Sequence, residues 1–336
     1  MTRRRTPIRL LLLALGTLGL AATACAGGGG PGQDGEGGSA GGAASGTVRV
    51  AHVPSTLFAP LYLAQAKGYF KEQGIDVRLQ KVKAGQDAVP LAAYGNVEAV
   101  VAGFSAGLFN GVSEGLKVKV AASMGASTGE DPSPTALEVS KRLADSGKVD
   151  DPADLRGRKV AVAGGPGAAG GYQLDVILRK SGLRLKDVKV VNVPIPDMRT
   201  ALADGGVDAA LPPAPFTTAM EEAGVAEALA VPPKGTVATG LILGSDFAGM
   251  DTSAKFLAAL RKGAADLQGK GRTSPKNVGI LAEATGQEAG VLRKTPPYQW
   301  SPRLTVDERQ LSKQQDAYRE AGLLKGEPVA IEDMTR

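Results

Sequence analysis

From Thr47 onward, short apolar runs typical of strands alternate with longer segments typical of helices. The first part of this pattern predicts a strand, a helix, a second strand, a short helix and a third strand, at 47–53, 59–68, 74–79, 87–95 and 97–102. The short helix has a good N-cap in Asp87, tolerates Pro90 in its first turn, and ends at Gly95. Strands that are separated by helices predict βαβ units and a parallel sheet.

The same order of elements recurs later, with strands predicted at 158–163, 188–193 and 207–211 and helices at 172–181 and 197–205. The segment 87–99 aligns without gaps on 197–209 and shares five of 13 residues with it, with Glu98 opposite Asp208. We therefore predict two α/β lobes of similar design with a crevice between them. Ligands of open α/β sheets bind at the carboxyl ends of the strands, near helix N-termini.

The chain begins with four arginines among its first nine residues, and a 15-residue run follows at 10–24 that is apolar except for Gly and Thr. This run is shorter than the roughly 20 residues that cross a bilayer. A cationic start, a short apolar run and small residues before a cut are typical of a secretory signal peptide. The small residues before Cys25 resemble the lipobox of bacterial lipoproteins, with Ala22 where leucine is usual. An ordinary secretion signal with an incidental cysteine is the alternative.

Removal of residues 1–24 changes the charge balance. The whole chain has 39 lysines and arginines against 34 acidic residues, whereas the mature chain would have 35 against 34. Binding to duplex nucleic acid needs clustered positive charge, so we expect no nucleic-acid partner. Residues 26–46 include 11 glycines, which indicates a flexible tether after a lipidated Cys25. The expected location is the extracytoplasmic face of the cell membrane, to which the lipid anchors the chain.

The chain has one cysteine and one histidine. These counts exclude a disulfide within the chain, a metal site built from several cysteines and a centre built from several histidines. A histidine-dependent reaction would have to use His52, and no G-x-S-x-G elbow accompanies it. We expect no catalysis, no cofactor and no metal.

Several segments resemble the ABC-importer substrate-binding proteins of the nitrate, sulfonate, taurine and thiamine-pyrimidine-precursor class. They lie at 59–64 (APLYLA), 67–77 (KGYFKEQGIDV), 154–162 (DLRGRKVAV), 201–209, 300–305 and 322–324. The resemblance covers roughly residues 47–336 and implies a two-lobed periplasmic-binding-protein fold of type II with a hinge between the lobes. It also implies a monomer that captures a small organic or oxyanionic solute by lobe closure and delivers it to an ABC permease.

The resemblance divides the chain into a signal peptide, a lipidated cysteine with its tether, and two lobes. Their predicted ranges are 1–24 and 25–46, then 47–122 with 235–336 for the first lobe, and 123–234 for the second lobe with its crossing segments. One departure from the family matters. Relatives often show Glu-Pro after the strand that ends near Leu211, but this chain has Ala214-Pro215. The identity of the ligand therefore does not follow from relatives that use the glutamate.

The segment 165–170 fits the GxGxxG pattern, follows a predicted strand and opens a helix. The acidic residue expected about 20 positions later in a dinucleotide site is missing, because the segment 190–193 reads VVNV. Dinucleotide binding is therefore disfavoured. The alternatives are a glycine-rich turn for close packing and a helix N-terminus that faces an anion or polar ligand, and we favour the second.

We expect the ligand site at the loops that follow the strands of both lobes. The loop after His52 carries hydroxyls and an aromatic ring that suit a small organic ligand, although Ser55 or Thr56 alternatively caps the first helix. The candidate contacts are His52, Ser55, Thr56, Leu57, Phe58, Gln86, Phe104, Ser105, Gly165, Gly167, Ala168 and Pro215.

Two functions of other classes stay open. An exported enzyme on the same two-lobed fold would use His52, and a pyrimidine-synthase branch that is similar in fold carries a Cys-rich motif which this chain lacks. A ligand-free surface or adhesion module would show no lobe closure.

Overall fold

The computed structural model describes residues 46–336, so the predicted signal peptide, Cys25 and nearly all of the tether lie outside the described residues. The strands in this range are β1 Gly46–His52, β2 Ile75–Lys81, β3 Ala99–Gly103, β4 Val118–Ser123, β5 Leu137–Ser140, β6 Lys159–Val162, β7 Lys189–Asn192, β8 Ala209–Ala210, β9 Ala226–Ala230 and β10 Thr239–Gly244. The helices are α1 Ala59–Ala66, α2 Tyr69–Glu72, α3 Gly85–Ala93, α4 Ala106–Ser113, α5 Lys141–Asp145, α6 Ala169–Lys180, α7 Met198–Ala203, α8 Phe216–Glu222, α9 Ser245–Ala248, α10 Asp251–Ala265, α11 Pro275–Thr285, α12 Ala289–Lys294, α13 Glu308–Glu320 and α14 Ile331–Met334.

The strands form two five-stranded sheets of the same design. Their orders are β2-β1-β3-β10-β4 and β7-β6-β8-β5-β9. In each sheet three neighbouring strands are parallel, and the fourth lies antiparallel between the third and the fifth. This architecture confirms the predicted two-lobed α/β fold. We call the body around the first sheet lobe 1 and the body around the second sheet lobe 2. The chain passes between them at 124–136 and 231–238. The predicted division into 47–122 with 235–336 and 123–234 as units that move stays a prediction.

Lobe 1 buries an apolar cluster on each face of its sheet. Leu61 of α1 and Leu260 of α10 pack on one face. Val89 of α3, Phe109 of α4 and Tyr318 of α13 belong to the cluster on the other face. The sheet of lobe 2 is likewise covered on both faces, mainly by α6 on one side and by α7 and α8 on the other. Parallel strands that are buried on both faces account for the continuous apolar runs in the sequence.

The aligned residues Glu98 and Asp208 occupy the same place in the two lobes. Glu98 accepts the backbone N–H of Arg49 on β1 and pairs with its guanidinium group at 2.6 Å. Asp208 accepts the backbone N–H of Lys159 on β6 at 2.9 Å, with Arg158 beside it. In both lobes a carboxylate just before the third parallel strand thus bonds to the backbone of the strand beside it. The internal repeat predicted from 13 aligned positions is therefore structural.

Three local predictions differ from the structure. Helix α3 begins at Gly85 with Ala84 at the cap position, so Asp87 lies in its first turn and Pro90 is its sixth residue. Gly85 permits this early start because a Cβ there would lie 2.9 Å from the Cβ of Ala102 on β3. Asp197 lies at the N-cap position of α7, but its carboxylate makes no capping bond. Strand β8 keeps only two of the five predicted residues, because its two neighbours pair with it only at 209 and 210.

Glu138 on β5 is the least expected residue of the core. Its side chain is fully buried, and neither carboxylate oxygen has a hydrogen-bond partner within the described part of the chain. Burial raises its pKa to about 8, and the carboxylates of Glu221 on α8, Asp131 in the crossing segment and Glu227 on β9 add to the shift. Glu138 is therefore largely protonated in the folded protein at neutral pH.

Glu138→Gln is expected to stabilise the fold at pH 8 but not at pH 4. In the unfolded chain the carboxyl ionises near 4.5, whereas in the folded chain it ionises near 8, so the wild type loses stability as pH rises between these values. The neutral amide removes this loss, and we expect a gain of about 2 kcal/mol or more at pH 8. Urea unfolding at both pH values measures it, with Glu283→Gln as the control, because this exposed carboxylate of α11 does not act on the pKa of Glu138. A wild-type stability that stays flat from pH 4.5 to 8 would contradict the assignment.

Candidate ligand-binding site

The two lobes touch where strands of both sheets end. The backbone N–H of Ala106, at the start of α4, donates to the carbonyl of Gly167 in lobe 2 at 2.8 Å. A Cβ on Gly103 would lie 2.5 Å from the Cβ of Ala169, so only glycine fits at the end of β3 in this conformation. The predicted glycine-rich turn of lobe 2 thus faces the loop of lobe 1 that carries Phe104 and Ser105. We call these contacts the lobe seam.

Gln86 extends the lobe seam from the first turn of α3. A Cβ on Gly164 would lie 3.0 Å from its Oε1 atom, and Gly164 has the positive φ of +80° that glycine tolerates. The N–H of Gly164 donates to Oδ1 of Asn192 at 2.8 Å. Asn192 therefore holds the turn after β6 from the end of β7. In the sequence, Asn192 served only as evidence against a dinucleotide site, and its bond to the turn after β6 was not predicted.

His52 ends β1 with its ring almost fully buried, at 1% exposure. Its Nδ1 atom lies 3.0 Å from the hydroxyl of Tyr62 on α1. Burial lowers the pKa of His52, and the positive charge of Lys81 lowers it further. The ring is therefore a neutral group that is bonded to α1.

The loop after His52 holds four further candidates. Ser55 caps the short turn at 56–58 by accepting the N–H of Leu57 at 3.3 Å. Helix α1 itself has Phe58 at its N-cap position and no side-chain capping bond, so the alternative that Ser55 or Thr56 caps this helix is wrong. Thr56 is nearly buried, and its hydroxyl has no hydrogen-bond partner among residues 46–336. Leu57 is half-buried, and its carbonyl accepts the indole N–H of Trp300 at 2.9 Å. Phe58 is buried in a cluster of lobe 1 and offers little ring surface in this conformation.

The next loop of lobe 1 contributes Phe104 and Ser105. The ring of Phe104 is also buried, in the other cluster of lobe 1. Its carbonyl accepts a bond from Gln314 of α13, and the hydroxyl of Tyr318 lies 2.9 Å from the same carbonyl. Ser105 caps α4 by accepting the N–H of Leu108 at 3.2 Å. Both residues therefore shape the loop that reaches the lobe seam.

The remaining candidates lie in lobe 2. Gly165 is buried, and Ala168 stands at the N-cap position of α6. Gly167 supplies the carbonyl of the lobe seam. Pro215 follows a cis peptide bond after Ala214 and precedes α8. The structure therefore brings Gly167 and Ala168 to the loop of Phe104 and Ser105, whereas Pro215 lies beside the crossing segments.

Tyr298 connects the crossing segments with lobe 2. Its hydroxyl lies 2.8 Å from Oγ1 of Thr135 and 3.0 Å from the carbonyl of Pro134, and the N–H of Ala214 approaches it at 3.2 Å. Burial raises its pKa to about 12. No sequence signal pointed to this residue, because its partners lie 84 to 164 positions away.

The loops of the lobe seam at 103–106 and 163–170 carry no charged side chain, and neither does the candidate loop at 52–58 when His52 is neutral. Their polar groups are backbone N–H groups, carbonyls and hydroxyls. Within residues 46–336 no group of three His, Cys, Asp or Glu side chains is arranged to hold a metal ion. Two cavities lie away from the lobe seam. One of about 320 Å³ lies at the opposite end of the strands of the first sheet, and one of about 270 Å³ lies between α6 and α13. The groups that these loops could offer to a ligand are therefore neutral hydrogen-bonding groups.

Two lobes of this topology that meet at strand ends define the architecture of two-lobed solute-binding proteins. The model of the NMT1/THI5-like family matches residues 55–270, and the chain belongs to that family. This membership confirms the resemblance seen in the sequence.

Solved structures share the fold. One is the alkanesulfonate-binding protein SsuA from Xanthomonas axonopodis pv. citri, bound to MOPS. It is 18% identical with a TM-score of 0.69, and the match covers 86% of this chain and 98% of that chain. The nitrate-binding protein NrtA from Synechocystis PCC 6803 is 14% identical with a TM-score of 0.67, covering 86% of each chain. These likenesses establish the fold alone.

A curated relative carries an enzyme name. The 4-amino-5-hydroxymethyl-2-methylpyrimidine phosphate synthase of Aspergillus parasiticus is 31% identical over 153 residues, which cover 46% of this chain and 41% of that protein. The chain therefore spans less than half the length of this relative.

No helix within 46–336 has the length and apolar character needed to cross a bilayer.

The only histidine of the chain gives a direct test of the site's electrostatics. We expect His52 to titrate below its ordinary pKa of 6.5, because burial and Lys81 disfavour the charged ring. Since the unfolded chain binds a proton at higher pH, this group costs stability as pH falls below about 6.5. NMR titration of the single imidazole measures the midpoint, and the same chain in urea is the control. A midpoint at or above 6.5 would refute the assignment.

Proposed function

We propose that this protein is an extracytoplasmic solute-binding lipoprotein. It captures a small organic or oxyanionic solute between its lobes and delivers it to an ABC importer. The observation that carries the proposal is the lobe seam, where Ala106 bonds to Gly167 and Gly103 meets Ala169 without room for a side chain. A crevice that closes to backbone contact suits capture of a small solute. Family membership and the shared fold support the same function.

The chemistry of the site favours ligands that accept hydrogen bonds. The loops at the lobe seam are uncharged, and two helices, α4 and α6, begin there. Free N–H groups at helix N-termini favour an anion or a polar acceptor, and α6 offers them rather than α4, where Ala106 and Leu108 already donate to Gly167 and Ser105. Sulfonate or nitrate oxygens and the ring nitrogens of a pyrimidine fit this description. The twelve candidate residues stay the proposed ligand contacts.

The proposal includes binding without catalysis. His52, the only histidine, is buried and bonded to Tyr62, which supports a structural role for its ring. The second candidate function is an exported enzyme that uses His52, and the similarity to a synthase over 153 residues favours it. Turnover of a pyrimidine precursor that is lost in His52→Ala would support the enzyme.

The proposal also includes a lipid anchor and a membrane partner. The cationic start, the short apolar run and the sole cysteine at the predicted cut support lipidation of Cys25. The glycine-rich segment that follows would let the lobes reach a permease from the anchored end. The folded chain would act as a monomer.

Gly103→Ala is expected to weaken solute binding roughly tenfold or more, because its methyl group would keep the lobes apart and apparent affinity falls with the closed fraction. The double variant Gly103→Ala/Ala169→Gly removes the opposing methyl group and should recover binding. Gly107→Ala is the matched control, since its Cβ would lie 3.5 Å from the nearest atom, an ordinary contact. Calorimetry with methanesulfonate, taurine, nitrate and hydroxymethylpyrimidine measures affinity, and fluorescence of the single tryptophan, Trp300, reports on the Leu57 loop.

Two results would count against capture by closure. The first is the absence of binding to every solute in this set by the wild-type mature chain. The second is a solute that binds equally well to Gly103→Ala and to the wild type.

Cys25→Ala is expected to release the protein from the membrane fraction and to abolish lipid attachment. The side chain that would carry the lipid is the only thiol in the chain, so no other cysteine can replace it. Fractionation of cells and intact mass of the purified protein measure the change. A wild-type protein whose mass shows an unmodified Cys25 would exclude the anchor.

A further inference from the structure

Helix α13 joins the two lobes, although it belongs to the last part of the chain. Its residues Leu311, Ala317 and Tyr318 pack in a cluster of lobe 1. Tyr172 of α6, in lobe 2, is buried in the same cluster and is only 2% exposed. The aromatic ring of Tyr172, from lobe 2, therefore lies in the core of lobe 1.

Polar contacts follow the same line between α6 and α13. The hydroxyl of Tyr172 donates to Oε1 of Gln310 at 3.1 Å. Arg179 pairs with Glu320 at 2.8 Å and also with Asp175 on its own helix. The side chain of Glu320 is 54% exposed, so the Arg179–Glu320 pair contributes little by itself.

Tyr318 has one acceptor in each lobe. Its buried hydroxyl lies 2.8 Å from the carbonyl of Ala168 in lobe 2 and 2.9 Å from the carbonyl of Phe104 in lobe 1. A phenol has a single proton to donate. Because the amide of Gln314 already donates to Phe104, the proton of Tyr318 is free to serve Ala168.

This arrangement suits a contact that must form and break. When the lobes separate, the proton of Tyr318 can turn to the carbonyl of Phe104, which stays beside it in lobe 1. Opening therefore does not leave a buried hydroxyl without an acceptor, which would otherwise add a desolvation penalty.

We propose that α13 is the closure latch of this protein, with the Tyr318 hydroxyl as a donor that alternates between the two lobes. The latch favours the closed state in the absence of solute and so sets the affinity of the crevice. The inference rests on the proposed function only in assuming that the lobes open and close.

Tyr318→Phe tests the latch because it removes the hydroxyl and keeps the ring. We expect the ratio of closed to open molecules to fall roughly fivefold, as loss of one hydrogen bond implies. Glu320→Gln should change that ratio less than about twofold, with an effect that salt abolishes. Tyr69→Phe is the matched control, since its hydroxyl donates to Asp266 at 2.6 Å within lobe 1.

The measurement uses the mature chain without solute. Spin labels at Lys83→Cys in lobe 1 and Arg199→Cys in lobe 2, both exposed positions, report the distance between lobes once Cys25→Ser removes the natural thiol. Small-angle scattering of the unlabelled variants checks the result. The expected outcome is a longer distance in Tyr318→Phe and an unchanged one in Tyr69→Phe.

Equal distance distributions in Tyr318→Phe and the wild type would overturn the latch, as would an equal shift in Tyr69→Phe. The outcome is separate from that of the proposed function. A chain that binds none of the tested solutes but opens in Tyr318→Phe keeps the latch and loses the solute-binding proposal. If the wild type and Tyr318→Phe bind solute with the same affinity and show the same interlobe distance, the solute-binding proposal stands and the latch is wrong.

Discussion

The tight contact between the lobes at Gly103 and Ala169 is the constraint on which the rest of the structure depends. Gly103 and Ala169 meet with no room for another methyl group, and beside them Ala106 bonds to the carbonyl of Gly167. Because the loops at this place carry no charged side chain, closing them removes no charge from water. Both sheets therefore present their strand ends to one narrow line, which is where a captured solute would be enclosed.

The site loops come from the first two thirds of the chain, but their supports come from the last third. Trp300 holds the carbonyl of Leu57, and Tyr298 joins the first crossing segment to lobe 2. Gln314 holds the carbonyl of Phe104, and Tyr318 lies beside the same carbonyl. Each support is a buried donor that reaches a backbone carbonyl or hydroxyl, so the loops keep their shape through hydrogen bonds rather than through charge. The return segment is therefore part of the site's construction.

The sequence predicted what depends on neighbouring residues. The alternation of apolar runs located most strands, and Gly95 and Gly205 end helices with φ values of +71° and +72°. The equivalence of Glu98 and Asp208 in the two lobes also followed from a local alignment. The course of β10 between β3 and β4 did not, and neither did the position of Tyr318, whose acceptors lie 150 and 214 residues away. Such contacts are set by tertiary packing, which a periodicity of two or 3.6 residues does not encode.

The place of β10 in the first sheet has a consequence for the order in which the chain folds. The second sheet is built from consecutive strands between 137 and 230, whereas β3 and β4 of the first sheet are joined only through β10, which follows at 239–244. A chain that emerges from its N-terminus can therefore complete the second sheet while β3 and β4 still have open edges. Open strand edges invite pairing with other chains, so the half that is made first stays exposed to aggregation for longest.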